Sequence, residues 1–156
     1  MSYVNNQPQA TTQMQVLPGG NRNASNKSYG PNGERGWSHG ICSCFGDCGT
    51  CCLSFWCPCI AYSQNKHRLE HLEQHGAPHP EGGESCTGDC AIHTLLNCFG
   101  CGWVLQIGTR SDVRRRYRIR GSTCGDCCTA FWCQPCELVQ DSREIELEEK
   151  SFQYKQ

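Results

Sequence analysis

No uninterrupted run of about 20 apolar residues, the length that carries a helix through a ~30 Å hydrocarbon layer, occurs in this 156-residue chain. The stretch 41–62 is long enough but is interrupted by Asp47 and Pro58, and 91–107 is short and carries His93, Asn97 and Gln106. A clean spanning helix is therefore not expected. Net charge is equally scarce at −1, which excludes bulk attraction to nucleic acid. There is no basic–apolar–small leader in residues 1–36, so the chain is expected not to be secreted. No alternating β-branched pattern long enough for a strand is visible, and no Ser/His/Asp set, phosphate-binding glycine loop or carboxylate pair stands out. The chain is not expected to be an enzyme.

What is abundant is cysteine. Apolar residues make up 37% with cysteine counted, and 16 of them are cysteine, so the aliphatic and aromatic core is thin and calls for staples. With the thiols expected in the reducing cytosol, metal, acylation or redox chemistry explains them better than structural bridges, although an even count keeps disulfides open.

Composition divides the chain into three parts. Residues 1–36 are rich in Asn, Gln, Gly, Ser and Pro and read as a disordered tail. Residues 37–147 form a cysteine-rich domain, and 148–156 a polar C-terminal tail. The fold class expected is mainly α: a small helical domain with an internal pseudo-repeat. Its clearest helix is 60–75, stopped by Gly76 and then Pro78 and Pro80. A second helix is expected over 138–150, with a solvated, frayed acidic end. The segment 76–85 reads as a linker.

The repeat is explicit. Cys48-Gly-Thr-Cys-Cys-Leu-Ser-Phe-Trp-Cys57 aligns without gaps on Cys124-Gly-Asp-Cys-Cys-Thr-Ala-Phe-Trp-Cys133, with seven of ten positions identical. Each copy runs into proline and a further cysteine, Cys59 and Cys136. The simplest account is two similar elements packed together about a pseudo-two-fold axis.

Thiolates favour Zn²⁺, Cd²⁺ and Cu⁺, and structural zinc takes four ligands in a tetrahedron. Cys48, Cys51, Cys57 and Cys59 make one four-thiol set; Cys124, Cys127, Cys133 and Cys136 make another. Bound zinc, in one set or shared between copies, is weighed against small buried thiols that let helices approach closely. His67, His71 and His75 recur every four residues on the expected helix, the spacing that lets paired histidines chelate an accessory ion; a solvated polar face is the competing reading. Arg110, Arg114, Arg115, Arg116 and Arg118 follow the most apolar stretch and suit a headgroup-binding stripe. Pairing with the acidic tail is the alternative. Cys133-Gln-Pro-Cys136 has the form of a redox-active motif, but the βαβ context such motifs use is missing.

Trp37-Ser38-x-Gly40-x-Cys42, Asp47-Cys48 and Cys51-Cys52-x-x-Phe55-Trp56-Cys57-Pro58-Cys59 resemble the placenta-specific-8 family of cornifelin, plant cadmium-resistance proteins and fruit-weight or cell-number regulators. Arg110, Arg114, Tyr117-x-Ile119-x-Gly121, Cys124-x-Asp126-Cys127, Phe131, Cys133-x-x-Cys136, Leu138-x-Gln140 and Arg143-Glu144 continue the match. The likeness covers about 37–147. It departs at Trp132, where members often carry another cysteine, and in the long polar linker. The resemblance implies a membrane-associated module, with the plasma membrane the expected location, acting in divalent-metal handling or tolerance. Expected partners are the membrane surface or bilayer, divalent ions and further copies of the chain. The alternatives are a growth-regulating scaffold with packed or acylated cysteines, and a thiol oxidoreductase.

Overall fold

A computed structural model describes residues 19–153. Among these residues the fold is helical: a short 3-10 helix, Ile41–Gly46, then α1 Cys48–Trp56, α2 Pro58–His75, α3 Gly88–Cys98, α4 Trp103–Tyr117, α5 Thr123–Trp132 and α6 Gln134–Gln153.

Local signals set the boundaries. Both repeat copies become helices with side-chain N-caps: Asp47 accepts from Thr50 N in α1, and Ser122 accepts from Gly125 N in α5. Pro58 opens α2, where its missing N–H is not needed, and Gly76 closes it in the left-handed region at φ 62°. The apolar stretch 91–107 is not one element. It breaks between α3 and α4 at Gly100, φ 71°.

The two copies do not pack face to face. The main contacts of α1 are with α2 and α6, and those of α5 are with α4 and α6. The long helix α6 is the shared support, which replaces the simple pairing expected from the repeat.

The apolar core is small, as composition requires. Leu69, Leu72, Val113, Tyr117, Ile119 and Ile145 form one cluster, flanked by Trp37 and Phe152; Ala61, Tyr62 and Leu138 form a second. Buried ion pairs fill much of the remaining interior. Arg35 Nη2 donates to Glu144 at 2.6 Å, and the Glu144 carboxylate also accepts from Ser38 N and Oγ. Glu148 accepts from Arg116 Nε and Nη2 and from Tyr117 OH, each at 2.8 Å. Arg110 reaches Asp141 at 2.9 Å and Gln140 at 2.7 Å, and Arg114 pairs with Asp126 at 2.6 Å.

These pairs revise the expected tails. Arg35, assigned to a disordered segment, is buried and joined to 118–120 by main-chain bonds in both directions. Asn21 N donates to Ser151 Oγ at 2.6 Å, tying the described part of that segment to the end of α6. The acidic end of α6 is not solvated: Glu148 is fully buried and Arg68 grips Glu149. The physical reason is charge pairing, since arginines from α2, α4 and residue 35 need partners once buried. Residues 1–18 and 154–156 of the two expected tails lie outside the described residues.

Candidate functional site

The helices α1 and α5 present the same outward face. In the first copy Cys48, Cys52, Phe55 and Trp56 are exposed while Ser54 is fully buried; in the second Cys124, Cys128, Phe131 and Trp132 are exposed while Ala130 is fully buried. The repeat therefore preserves an exterior. Trp56 is 78% and Trp132 82% exposed, far beyond what a large aromatic ring shows in a folded interior.

The two copies flank an open groove of about 550 Å³ lined by Phe45, Phe55, Phe131 and Trp132 together with Cys44, Cys51, Cys133 and Cys136. Ring contacts extend the surface sideways. Phe131 lies edge-on to Trp132 at 5.6 Å and to Trp103 at 5.6 Å, and Trp103 opens α4 beside the exposed Phe99 at the α3–α4 tip. The face is nearly free of charge. Across 37–65, 90–109 and 121–136 the only charged side chains are Asp47 and Asp126. Asp47 caps α1, and Asp126 is buried against Arg110 and Arg114. A contiguous exposed aromatic surface of this kind is uncommon on a folded monomer.

The cysteines are not core packing units. Among the free thiols only Cys44 is buried, and Cys42, Cys48, Cys52, Cys86, Cys98, Cys101, Cys124 and Cys128 are exposed. Nor do the two expected four-thiol sets assemble. Cys51 faces Cys44, outside its set, and Cys59 faces Cys90, from α3. Cys133 and Cys136 are joined by a disulfide, with Cys133 at the junction of α5 and α6. Among the described residues no group of three or more His, Cys, Asp or Glu is placed to hold a metal ion. As arranged, Cys48, Cys51, Cys57 and Cys59, and likewise Cys124, Cys127, Cys133 and Cys136, do not fit a tetrahedral zinc site. The reason is where the helices end: Cys48 and Cys51 lie on α1, whereas Cys57 lies past its end and Cys59 belongs to α2. Burial, then the neighbouring Cys44, raises the Cys51 thiol; burial and Cys59 push Cys90 up to about 11.

The histidines share one side of α2 without converging on a point. His67 Nε2 lies 3.3 Å from Asp89, His71 Nδ1 lies 2.9 Å from Ala77 O, and the His71 ring stacks on His75 at 4.3 Å.

The arginines expected to bind headgroups are mostly internal. Arg110, Arg114 and Arg116 are consumed by Asp126, Asp141 and Glu148. Arg115, paired with Asp112, and Arg118 are exposed, but they sit at the far end of α4 from Trp103. Fifteen helical residues at ~1.5 Å each put them roughly 20 Å from the aromatic face. The repeat was expected to pack its two copies together; the signal for an outward face was the lack of charge around both copies.

Glu137 is a buried carboxyl group without a partner among the described residues. Neither oxygen of Glu137, directly after Cys136, makes a hydrogen bond, and burial followed by Asp141 raises its carboxyl to about 9.

Comparison with known proteins gives a consistent result. The PLAC8 family model matches residues 37–144. The chain is 36% identical to "Cell number regulator 11" of Zea mays over 70% of its own length and 63% of the relative's. It is 41% identical to "Cell number regulator 9" of Zea mays, covering 70% and 57%, and 35% identical to "Protein PLANT CADMIUM RESISTANCE 2" of Arabidopsis thaliana, covering 74% and 70%. Against the maize regulators the chain thus spans about 57–63% of the relative's length. No solved structure matches.

Proposed function

This chain belongs to the PLAC8 family, and on that premise we propose that it is a non-catalytic module that docks on a membrane through the aromatic face of its two repeats. One observation carries the reading. Both copies keep Phe and Trp outward at matching positions, on segments, 37–65 and 121–136, that contain no arginine, lysine or glutamate. Aromatic rings are suited to the boundary between headgroups and acyl chains. No helix among the described residues is long and apolar enough to cross a membrane, so docking is shallow. Relatives named as regulators and as resistance proteins support a role without catalysis.

The test is flotation of the purified chain with uncharged phosphatidylcholine vesicles. Burying a Trp ring contributes on the order of 1–3 kcal/mol, so Trp56→Ser with Trp132→Ser should lower the partition coefficient at least tenfold at unchanged helicity. Equal binding by the double variant, or none by the wild type, refutes the reading.

A second reading is handling of thiophilic divalent ions as cargo. The neighbouring sulfurs Cys44–Cys51 and Cys59–Cys90 favour it, as do relatives named for cadmium resistance. Cadmium titration followed by sulfur-to-metal charge-transfer absorption tests it; absence of that band under reducing conditions removes it.

A further inference from the structure

We propose that Cys52 and Cys128 are the thioester-acylated residues of this chain, each carrying one long fatty acyl group. The inference rests on the docking reading and deepens it.

Each sulfur lies one helical turn before an exposed tryptophan: Cys52 and Trp56 on α1, Cys128 and Trp132 on α5, both at i and i+4, the spacing that shares a face. Both thiols are exposed, while the adjacent Cys51 and Cys127, one position earlier, are turned partly inward. An acyl chain leaving either sulfur therefore runs out among the rings that enter the lipid. The segments 37–65 and 121–136 that carry both sulfurs and both ring pairs contain no Lys, Arg or Glu. The repeat supplies two such positions at equivalent places, and stable anchoring takes two signals where one chain holds only reversibly. An unmodified thiol gains little by standing in water between aromatic side chains. A thioester there adds hydrocarbon where hydrocarbon is already being buried.

The chemistry balances without an oxidant. The cysteine sulfur attacks the carbonyl carbon of a long-chain acyl-coenzyme A, the bond from that carbon to the coenzyme A sulfur breaks, and coenzyme A leaves with the proton that the cysteine gives up. The neighbouring Cys124 raises the Cys128 thiol, and the transferase that brings the acyl donor takes up its proton.

The test uses the full chain expressed in eukaryotic cells. Free thiols are blocked, thioesters are cleaved with neutral hydroxylamine, and the released thiols are tagged with a polyethylene-glycol maleimide. The wild type should gain two tags, Cys52→Ser or Cys128→Ser one, and the double variant none. Peptide mass spectrometry on the tagged wild type places the tags without relying on any variant's folding. No hydroxylamine-dependent tag, or tags on Cys98 and Cys101 instead, overturns the assignment. Vesicle flotation of the unmodified bacterial protein reports on docking alone, so failure of docking and failure of acylation read out separately.

Discussion

Replacing Glu148 by alanine should unfold this chain far more readily than its place near the C-terminus would suggest. The carboxylate is fully buried, and Arg116 and Tyr117 donate three 2.8 Å hydrogen bonds to it. The Arg116 side chain is itself only 5% exposed, so without its partner a guanidinium remains in the interior with one main-chain bond, from Nη2 to Leu72 O at 3.2 Å. Breaking a buried pair by removing one member costs about 3–5 kcal/mol. That is a large part of a total stability of ~5–15 kcal/mol. A urea unfolding curve followed by circular dichroism measures the loss. The companion variant Arg116→Met, and the double variant, complete a cycle. Removing both charges should cost less than the sum of the singles, with a coupling of roughly 2 kcal/mol or more. A loss below about 1 kcal/mol for Glu148→Ala, as for a solvated acidic tail, would refute the reasoning.

Three further outcomes follow from the same interior and from the sulfur arrangement. Glu137 is neutral when folded, with a carboxyl raised from 4.5 to about 9, and ionised when unfolded, so its contribution is full below about pH 4.5 and lost as pH rises toward 9. At ~1.4 kcal/mol per pH unit this weakens the fold by about 3 kcal/mol between pH 4.5 and 7; Glu137→Gln should flatten the fall in unfolding midpoint, and an unchanged slope contradicts it. Gly76→Ala strains the left-handed cap of α2 at φ 62°, costing about 1 kcal/mol in thermal unfolding, whereas no change would mean the helix ends elsewhere. Dialysis against a strong chelator should leave helicity and unfolding midpoint unchanged, because the cysteines do not build a four-thiolate site among the described residues; a collapse of helicity would show that metal organises the fold.

The stop of α2 at Gly76 was legible in the sequence, since it acts by local sterics, whereas the start of α2 falls at Pro58 rather than at 60, and the side-chain caps Asp47 and Ser122 that open α1 and α5 were not read. The burial of Arg35 was hidden because its partner Glu144 is 109 residues away, and nothing in a polar Asn/Gly-rich segment announces such a pair. The fate of the arginine run was open for the same reason. A basic stretch beside an acidic helix end is compatible with headgroups or with ion pairs, and only the packing of α4 on α6 decides for pairs at Arg110, Arg114 and Arg116. The repeat was visible, but identity of Phe-Trp in both copies says that the pair does the same thing twice without saying which side it faces. The depth of Ser54 and Ala130 supplies that side: the small residues touch the core, and the large rings are left outside. Cysteine spacing misled in a related way, because Cys51 meets Cys44 of the preceding 3-10 helix and Cys59 meets Cys90 of α3, neighbours that only the tertiary packing supplies.

The central claim is that the two exposed tryptophans enter lipid, and fluorescence quenching by acyl-chain-brominated phosphatidylcholine vesicles tests it most directly. Emission from the full chain should shift to the blue and be quenched by brominated lipid, and most of that quenching should vanish when Trp56, Trp132 and the adjoining Trp103 are all replaced by Phe, leaving Trp37, which packs against the core. Emission that neither shifts nor quenches on adding vesicles, or quenching that survives the triple replacement, would contradict the account.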